Sequence, residues 1–232
     1  MNTGDGGRGA PTAPVLLQLS GVSRVYGDHP VVRSADLDVR RGEFVVVTGD
    51  NGSGKSTLLR IACGRERPTA GGVLLDGRPI DEDAPEVRSR VATVMDAGAC
   101  YPDLTVREHV MLVALAHGRG DASGDAVREV LRDHRLDDRA DALPSALSSG
   151  QVQAMLLASA FVRPHELLVL DEPEQRLDTG ARHDLARRLA RHRDRGAAVL
   201  AATHDEALAA VADTVVRLEG GMLVGGTARD GG

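Results

Sequence analysis

The stretch Gly49-Asp50-Asn51-Gly52-Ser53-Gly54-Lys55-Ser56-Thr57 constrains this chain more than any other. It fits the phosphate-loop pattern, with glycine at its first and sixth positions followed by lysine and a hydroxyl residue. Its context agrees. Phe44-Val45-Val46-Val47-Thr48 is an apolar, β-branched run that predicts a buried strand. Thr57 to Cys63 reads as the opening of a helix. A chance glycine turn has no need of strand, loop and helix in that order. The glycines let backbone N–H groups turn inward around a phosphate, and the helix N-terminus adds partial positive charge. Lys55 is expected to reach the β- and γ-phosphates, and the Ser56 hydroxyl to face Mg²⁺. Lys55 is also the only lysine in the sequence, every other basic side chain being arginine or histidine. A compact ammonium is kept at the one place where a point charge must meet phosphate.

A second motif lies downstream. Leu167-Leu168-Val169-Leu170-Asp171-Glu172-Pro173 predicts a buried strand ending in two carboxylates. Asp171 is placed to hold Mg²⁺, directly or through water. Glu172 lies one residue further, where it can polarise a water aimed at the γ-phosphate. Another continuous apolar run, Ala197 to Thr203, reads as a second central parallel strand and ends at His204. Between the two strands, the Arg-rich stretch Ala181 to Arg195 reads as a crossover helix with a solvated charged face.

The remaining texture divides the chain. Residues 1–14 are rich in Gly, Pro and Thr and are expected to form a disordered tail, with a second flexible tail at 225–232. Val15 to Val39 and Val73-Leu74-Leu75 predict extended segments that form a β-rich layer. Val91 to Met95 predicts a further strand. From Thr105 to about Phe161 the spacing turns helical, with Val106, Val110 and Val113 on one stretch and Ala126 to Leu136 on a second. The expectation is one α/β domain over 15–224: a phosphate-loop NTPase core, an antiparallel β layer and a helical insertion subdomain at about 97–163. The length of 232 residues and the 42% hydrophobic content allow one large domain with a sizeable core. Aromatics make up only 2%, so Leu, Val and Ala must fill it. The net charge of −6 argues against a nucleic-acid partner. Cys63 and Cys100 form no C-x-x-C pair, and so suggest neither a disulfide framework nor a zinc site. No apolar run approaches the roughly 18 residues that predict a membrane span.

Leu147-Ser148-Ser149-Gly150-Gln151 narrows the reading. It resembles the signature sequence of ATP-binding cassette (ABC) proteins, usually L-S-G-G-Q, and it falls between the phosphate loop and the carboxylate pair. The resemblance covers about Val15 to Val224. It implies an ATPase that works as a homodimer, or as a heterodimer with a related chain. In such a dimer Ser148, Ser149, Gly150 and Gln151 cap ATP bound to the other subunit. It implies that His204 is the switch histidine at the γ-phosphate, that Tyr26 stacks on adenine, and that Leu177-Asp178 contacts the dimer partner. Integral membrane permease subunits then complete a transporter, with this chain peripheral on the cytoplasmic face. The short length tilts the expectation slightly toward export.

The chain departs from the family pattern at three places. Asp96 stands where a glutamine is usual, and so becomes a candidate Mg²⁺ ligand that adds negative charge near the γ-phosphate. Val152-Gln153-Ala154 replaces a commonly basic stretch. Glu174-Gln175-Arg176 is bulkier and more charged than usual. The alternatives are a soluble ABC ATPase outside transport, or a regulatory nucleotide-binding module with weak hydrolysis. The first usually carries two cassettes, long inserts or basic arms, and the retained Glu172 and His204 speak against the second. A generic phosphate-loop kinase does not need Leu147 to Gln151.

Overall fold

A computed structural model describes residues 13–95, 100–118 and 120–228. The first two strands, β1 (Val15–Tyr26) and β2 (His29–Arg40), form an antiparallel hairpin. Leu17 opposes Val39, Leu19 opposes Leu37 and Val22 opposes Ala35, so the alternating apolar residues gather on one face. The chain then enters β3 (Phe44–Thr48), turns through the glycine loop and continues as α1 (Lys55–Ala62). It returns to the hairpin as β4 (Ala70–Leu75), which pairs with β1, and adds the short β5 (Arg78–Pro79). These strands make a four-stranded sheet in the order β2-β1-β4-β5.

One short helix is absent from the sequence-based expectation. It is α2 (Pro85–Arg90), started by proline at its first position, where the missing N–H is harmless. It feeds β6 (Val91–Val94). The helical layer follows as α3 (Val106–Ala116), α4 (Ser123–Asp133) and α5 (Ser149–Val162). The two helical stretches are joined by a short connection. A 3₁₀ turn closes at Ala122, and Ser123 already begins α4 with its hydroxyl bonded to the Gly120 carbonyl at 2.6 Å. The chain then alternates β7 (Leu167–Asp171), α6 (Thr179–Asp194), β8 (Ala198–Ala202), α7 (Glu206–Val211), β9 (Thr214–Glu219) and β10 (Met222–Ala228).

The second sheet runs β10-β9-β3-β8-β7-β6, parallel except for β10. Its central strands are buried on both faces, which is why they read as unbroken apolar runs. Val45, Val47, Val169 and Leu200 join the hairpin sheet and α1 in one core cluster. Phe44, Val46, Leu168 and Val199 turn to the other face, against residues of α5, α6 and α7. Helix α5 is apolar all round because it faces two layers. Leu156, Leu157 and Ala160 meet the sheet, while Met155 and Ala158 meet Val106, Val110, Val127 and Leu131 of α3 and α4.

The ends of the described chain differ from the expected tails. Ala13 and Pro14 are tied to the end of β2, their carbonyls accepting from Arg40 and Arg41 at 3.0 and 3.1 Å. At the other end the backbone stays paired through Ala228, past the expected boundary at 225. Gly225 takes φ +68° at a register shift, a glycine bulge that lets the strand continue. Asp96 and residues 97–99, at the expected junction of core and insertion, lie outside the described residues. No helix among the described residues is long and apolar enough to cross a membrane.

The parallel strands fix where function can sit. Val47 of β3 pairs with Ala202 of β8, and Asp171 of β7 pairs with the same Ala202. The C-terminal ends of all three strands therefore open on one edge, where an open α/β sheet places its ligands.

Phe44 is the chain's one fully buried aromatic among the described residues and anchors the second cluster from the central strand. Phe44→Ala should lower the unfolding free energy by about 3–5 kcal/mol in urea titration. A loss under about 1 kcal/mol would mean that this face of the sheet is not close-packed.

Candidate functional site

The glycine loop is a product of close approach. A Cβ on Gly49 (φ +145°) would stand 2.4 Å from the Leu218 carbonyl oxygen, and one on Gly54 (φ +105°) 2.8 Å from that of Val31. Both positions are strained for any other residue as well as blocked. Gly52 (φ +79°) faces open space, so there the demand is conformational only. The loop is pinched between β2 and β9, with Ser53 N–H bonded to the Asp50 carbonyl at 3.1 Å. Asp50 and Asn51 are exposed, and Asp50 faces Arg217 at 3.7 Å.

Lys55 is only 4% exposed. Its ammonium donates to the carbonyls of Gly49 at 2.7 Å and Asp50 at 3.1 Å, and meets His204 Nε2 at 3.0 Å. An ammonium only donates, so His204 Nε2 must here be the unprotonated nitrogen. The N-terminus of α1 carries no side-chain cap and no acidic residue in its first turn. Its leading N–H groups and positive dipole end thus face the loop. Gly54, Lys55, Ser56, Thr57 and Glu172 help to line a cavity of about 330 Å³ here. Ser56 and Glu172 also line an adjoining cavity of about 190 Å³ with Asp171, Gln153 and Gln175.

Asp171 ends β7 beside this second cavity. Its Oδ1 is buried and has no hydrogen-bond partner among the described residues. Burial pushes its pKa up, against a hydrogen bond from Ser56 that holds it down and the nearby Glu172 charge that adds to the rise. A buried acceptor of this kind suits a cation better than a second carboxylate. Glu172 follows at φ +46°, a left-handed backbone that a non-glycine residue adopts only under constraint. Its N–H is fixed to the Ala202 carbonyl at 2.8 Å, and Gln175 Nε2 donates to its carboxylate.

Two residues of this site escape a reading of the sequence. Glu174 is 7% exposed, and its Oε1 accepts from the Thr203 hydroxyl at 2.6 Å and from His204 N–H at 3.2 Å. It therefore clamps the loop that carries His204. Gln153 of α5 is 4% exposed and donates to the Pro173 carbonyl at 3.1 Å, which ties the helical layer to the segment after Asp171. Both act through long-range contacts, and the sequence marks them only as departures from a family pattern.

The sequence also singles out residues that lie apart from these cavities. Ser148 caps α5 in a capping box: its hydroxyl accepts from Gln151 N–H at 3.2 Å, and Gln151 Oε1 accepts from Ser148 N–H at 2.9 Å. Ser148 and Ser149 are exposed. A Cβ on Gly150 would meet the Arg176 carbonyl oxygen at 2.6 Å, so α5 starts directly against the loop after Glu172. None of Ser148, Ser149, Gly150 and Gln151 lines either cavity. Tyr26 lines neither as well. Its hydroxyl donates to Glu66, and the Arg24 guanidinium lies 4.5 Å over its ring. Burial works to raise the Glu66 pKa, but hydrogen bonds from Tyr26 and Arg24 outweigh it and hold the carboxylate low. Glu66 in turn meets Arg60 of α1, which links Tyr26 to the helix behind the phosphate loop.

Comparison with known proteins gives a consistent picture. Residues 32–175 match the family model described as ABC transporter. The aliphatic sulfonates import ATP-binding protein SsuB 1 of Nocardia farcinica is 40% identical over 222 residues, covering 94% of this chain and 83% of that one. The sn-glycerol-3-phosphate import ATP-binding protein UgpC 1 of Rhizobium johnstonii is 35% identical over 91% of this chain, and the Nod factor export ATP-binding protein I of Cupriavidus metallidurans is 36% identical over 82%. The chain spans 57% and 63% of the length of those two relatives. Among solved structures, an ATP-binding subunit of an ABC transporter superposes with TM-score 0.85 at 30% identity, over 93% of this chain and 90% of that one. A dimeric ATP-binding cassette in a post-hydrolysis state with ADP and Pi gives 0.85 at 26% identity, over 94% of this chain and all of its own.

The Glu174 clamp is testable by two substitutions. Glu174→Gln keeps an acceptor for Thr203 and His204, whereas Glu174→Ala strands a fully buried hydroxyl. The alanine variant should be less stable than the glutamine variant by about 1–3 kcal/mol in denaturant titration. Equal stabilities would mean that the clamp contributes nothing.

Proposed function

Since the chain belongs to the ABC transporter family, we propose that it is the ATP-binding and hydrolysing subunit of a multi-chain membrane transporter. In this reading two cassettes, identical or related, sandwich ATP between the phosphate loop of one and the Ser148–Gln151 segment of the other. Integral membrane subunits hold the pair at the cytoplasmic face. The observation that carries the proposal is the convergence at one sheet edge. There the buried Lys55 ammonium, the uncapped N-terminus of α1, the unpartnered Asp171 oxygen and His204 come together.

The roles follow from that geometry. Gly49 to Thr57 would wrap the β- and γ-phosphates with backbone N–H groups, and Lys55 would exchange part of its carbonyl and histidine contacts for phosphate oxygens. His204 then loses the donor it faces now. A proton on its Nε2 would let it donate to the γ-phosphate, with Glu174 fixing its backbone. Glu172 would accept the proton of the attacking water, its carboxylate steadied by Gln175. The Ser56 hydroxyl and the Asp171 carboxylate fit Mg²⁺, which takes one or two protein oxygens and fills its sphere with phosphate and water. When bound, the ion supplies neutralisation of the phosphate charge. Asp96 remains a candidate beside it, and Tyr26 a candidate to meet the adenine.

The exposed Ser148 and Ser149, apart from the chain's own cavities, favour action on a partner's nucleotide. The named relatives include both importers and an exporter, so direction and cargo are left to the membrane and binding subunits. Those relatives are transporter subunits, which favours transport over a soluble ATPase or a regulatory module.

Glu172→Gln should keep ATP affinity while lowering steady-state hydrolysis by at least roughly a hundredfold, the usual scale for loss of a general base. It should also elute as a dimer in ATP. Hydrolysis at the wild-type rate would remove Glu172 from the role of base. Unchanged ATP affinity in Lys55→Ala would remove the phosphate loop from the nucleotide site.

A further inference from the structure

A cavity of about 500 Å³ shares no lining residue with the two at the phosphate loop. It opens where α4 faces the C-terminal half of α6 and the segment leading into β7. Arg163, Arg188, Arg191 and Arg195 line it. Among the described residues none of them forms an ion pair, and Arg163 donates through Nη2 to the Arg88 carbonyl. Two of the nearby carboxylates are engaged elsewhere: Glu166 is held by Arg41 and Arg90, and Asp184 by Arg135 and Arg187. Asp184 and Asp133 act on Arg188 only at longer range. Glu129 and Asp133 also line the cavity, and neither makes an ion pair among the described residues.

Cations at the end of α6 offset the helix dipole, which accounts for Arg191 and Arg195. It does not account for Arg163, which follows α5, or for Arg188, inside α6. Both are part-buried, and burial pushes both pKa values down, that of Arg163 to about 10. The Nε of Arg163 is buried with no partner among the described residues. Burying a guanidinium is costly unless its donors and charge are met; Arg163 has one backbone carbonyl, and Arg188 only the longer-range Asp184 and Asp133.

Burial disfavours the charged form of His134 and His192, pushing the His134 pKa down to about 3. His165 Nδ1 faces the Arg163 carbonyl at 2.9 Å and donates to it, while His165 Nε2 and His192 Nε2 share one proton at 2.6 Å. His134 Nδ1 donates to the Val130 carbonyl at 2.8 Å. Its Nε2 is a buried acceptor with no partner among the described residues, ready for an O–H or N–H group. Charge recognition therefore falls to the arginines.

We propose that this cavity binds a small phosphate-bearing polyanion of diphosphate size through Arg163, Arg188, Arg191 and Arg195. Planar guanidinium groups match phosphate oxygens in pairs, and several converging ones ask for more charge than a single carboxylate carries. The volume is that of a small-molecule site. The site is independent of the nucleotide reading of the phosphate loop.

Histidine side-chain NMR tests it on the Lys55→Ala protein, titrated separately with inorganic pyrophosphate and with ADP. His134, His165 and His192 report on this cavity, and His204 reports on the phosphate loop. Saturable shifts of His165 and His192 are expected with at least one of the two probes, while His204 does not track them. Pyrophosphate alone would identify a free diphosphate, and ADP alone a nucleotide. Arg191→Gln combined with Arg195→Gln, both exposed and so compatible with folding, should weaken binding by roughly tenfold or more. Arg67→Gln, at an exposed arginine elsewhere, should not. The proposal is overturned if neither probe shifts His165 and His192 beyond sodium chloride of equal ionic strength, or if the double variant binds as tightly as its parent.

Discussion

One buried ammonium sets the terms for the edge of the central sheet. Lys55 is the chain's only lysine, and its charge lies almost wholly out of water. A charge so placed is tolerable only with close dipoles around it. The carbonyls of Gly49 and Asp50 supply them, and they can point inward only because the loop has glycine where a Cβ would strike Leu218 or Val31. The third partner, His204, arrives from β8, and β8 holds that position because it pairs with both β3 and β7. Sheet register, glycine placement and the histidine therefore depend on one another.

Local features of this arrangement were legible in the sequence. A phosphate loop is a run of consecutive residues whose backbone demands fall on particular glycines. The central strands announce themselves as apolar runs because both faces are covered. The pairing of Asp171 with Glu172 at a strand end, and the motif Leu147 to Gln151, are equally local. The sequence also indicated an antiparallel layer and a helical segment, since the periods of two and of three to four residues differ plainly between Val31–Val39 and Val106–Val113.

What escaped was long-range. Glu174 reads as a bulky departure from a family pattern, yet it is bonded to residues of a different strand end. Gln153 reads as one more non-basic position, yet it bridges α5 to Pro173. Tyr26 was expected at the adenine, and the structure adds a cluster with Arg24, Glu66 and Arg60 that no spacing rule predicts. The arginine and histidine cavity is assembled from α4, α5, α6 and the segment before β7, segments whose charges look like solvated faces when read singly. The tail expected from residue 225 is instead paired to Ala228, because glycine permits a bulge as readily as it permits a flexible end.

In the proposed dimer a phosphate loop from one chain and Ser148–Gln151 from another form a single composite site. Mixing two inactive variants tests it most directly. Lys55→Ala disables the loop, and Ser148→Arg places a bulky charge at the exposed cap while leaving the loop intact. In a mixed dimer one site joins an intact loop to an intact cap, and the other site holds both defects. The mixture should recover a substantial part of wild-type ATPase activity although each variant alone is inactive. Absence of recovery, with mixed dimers shown to form, would contradict it.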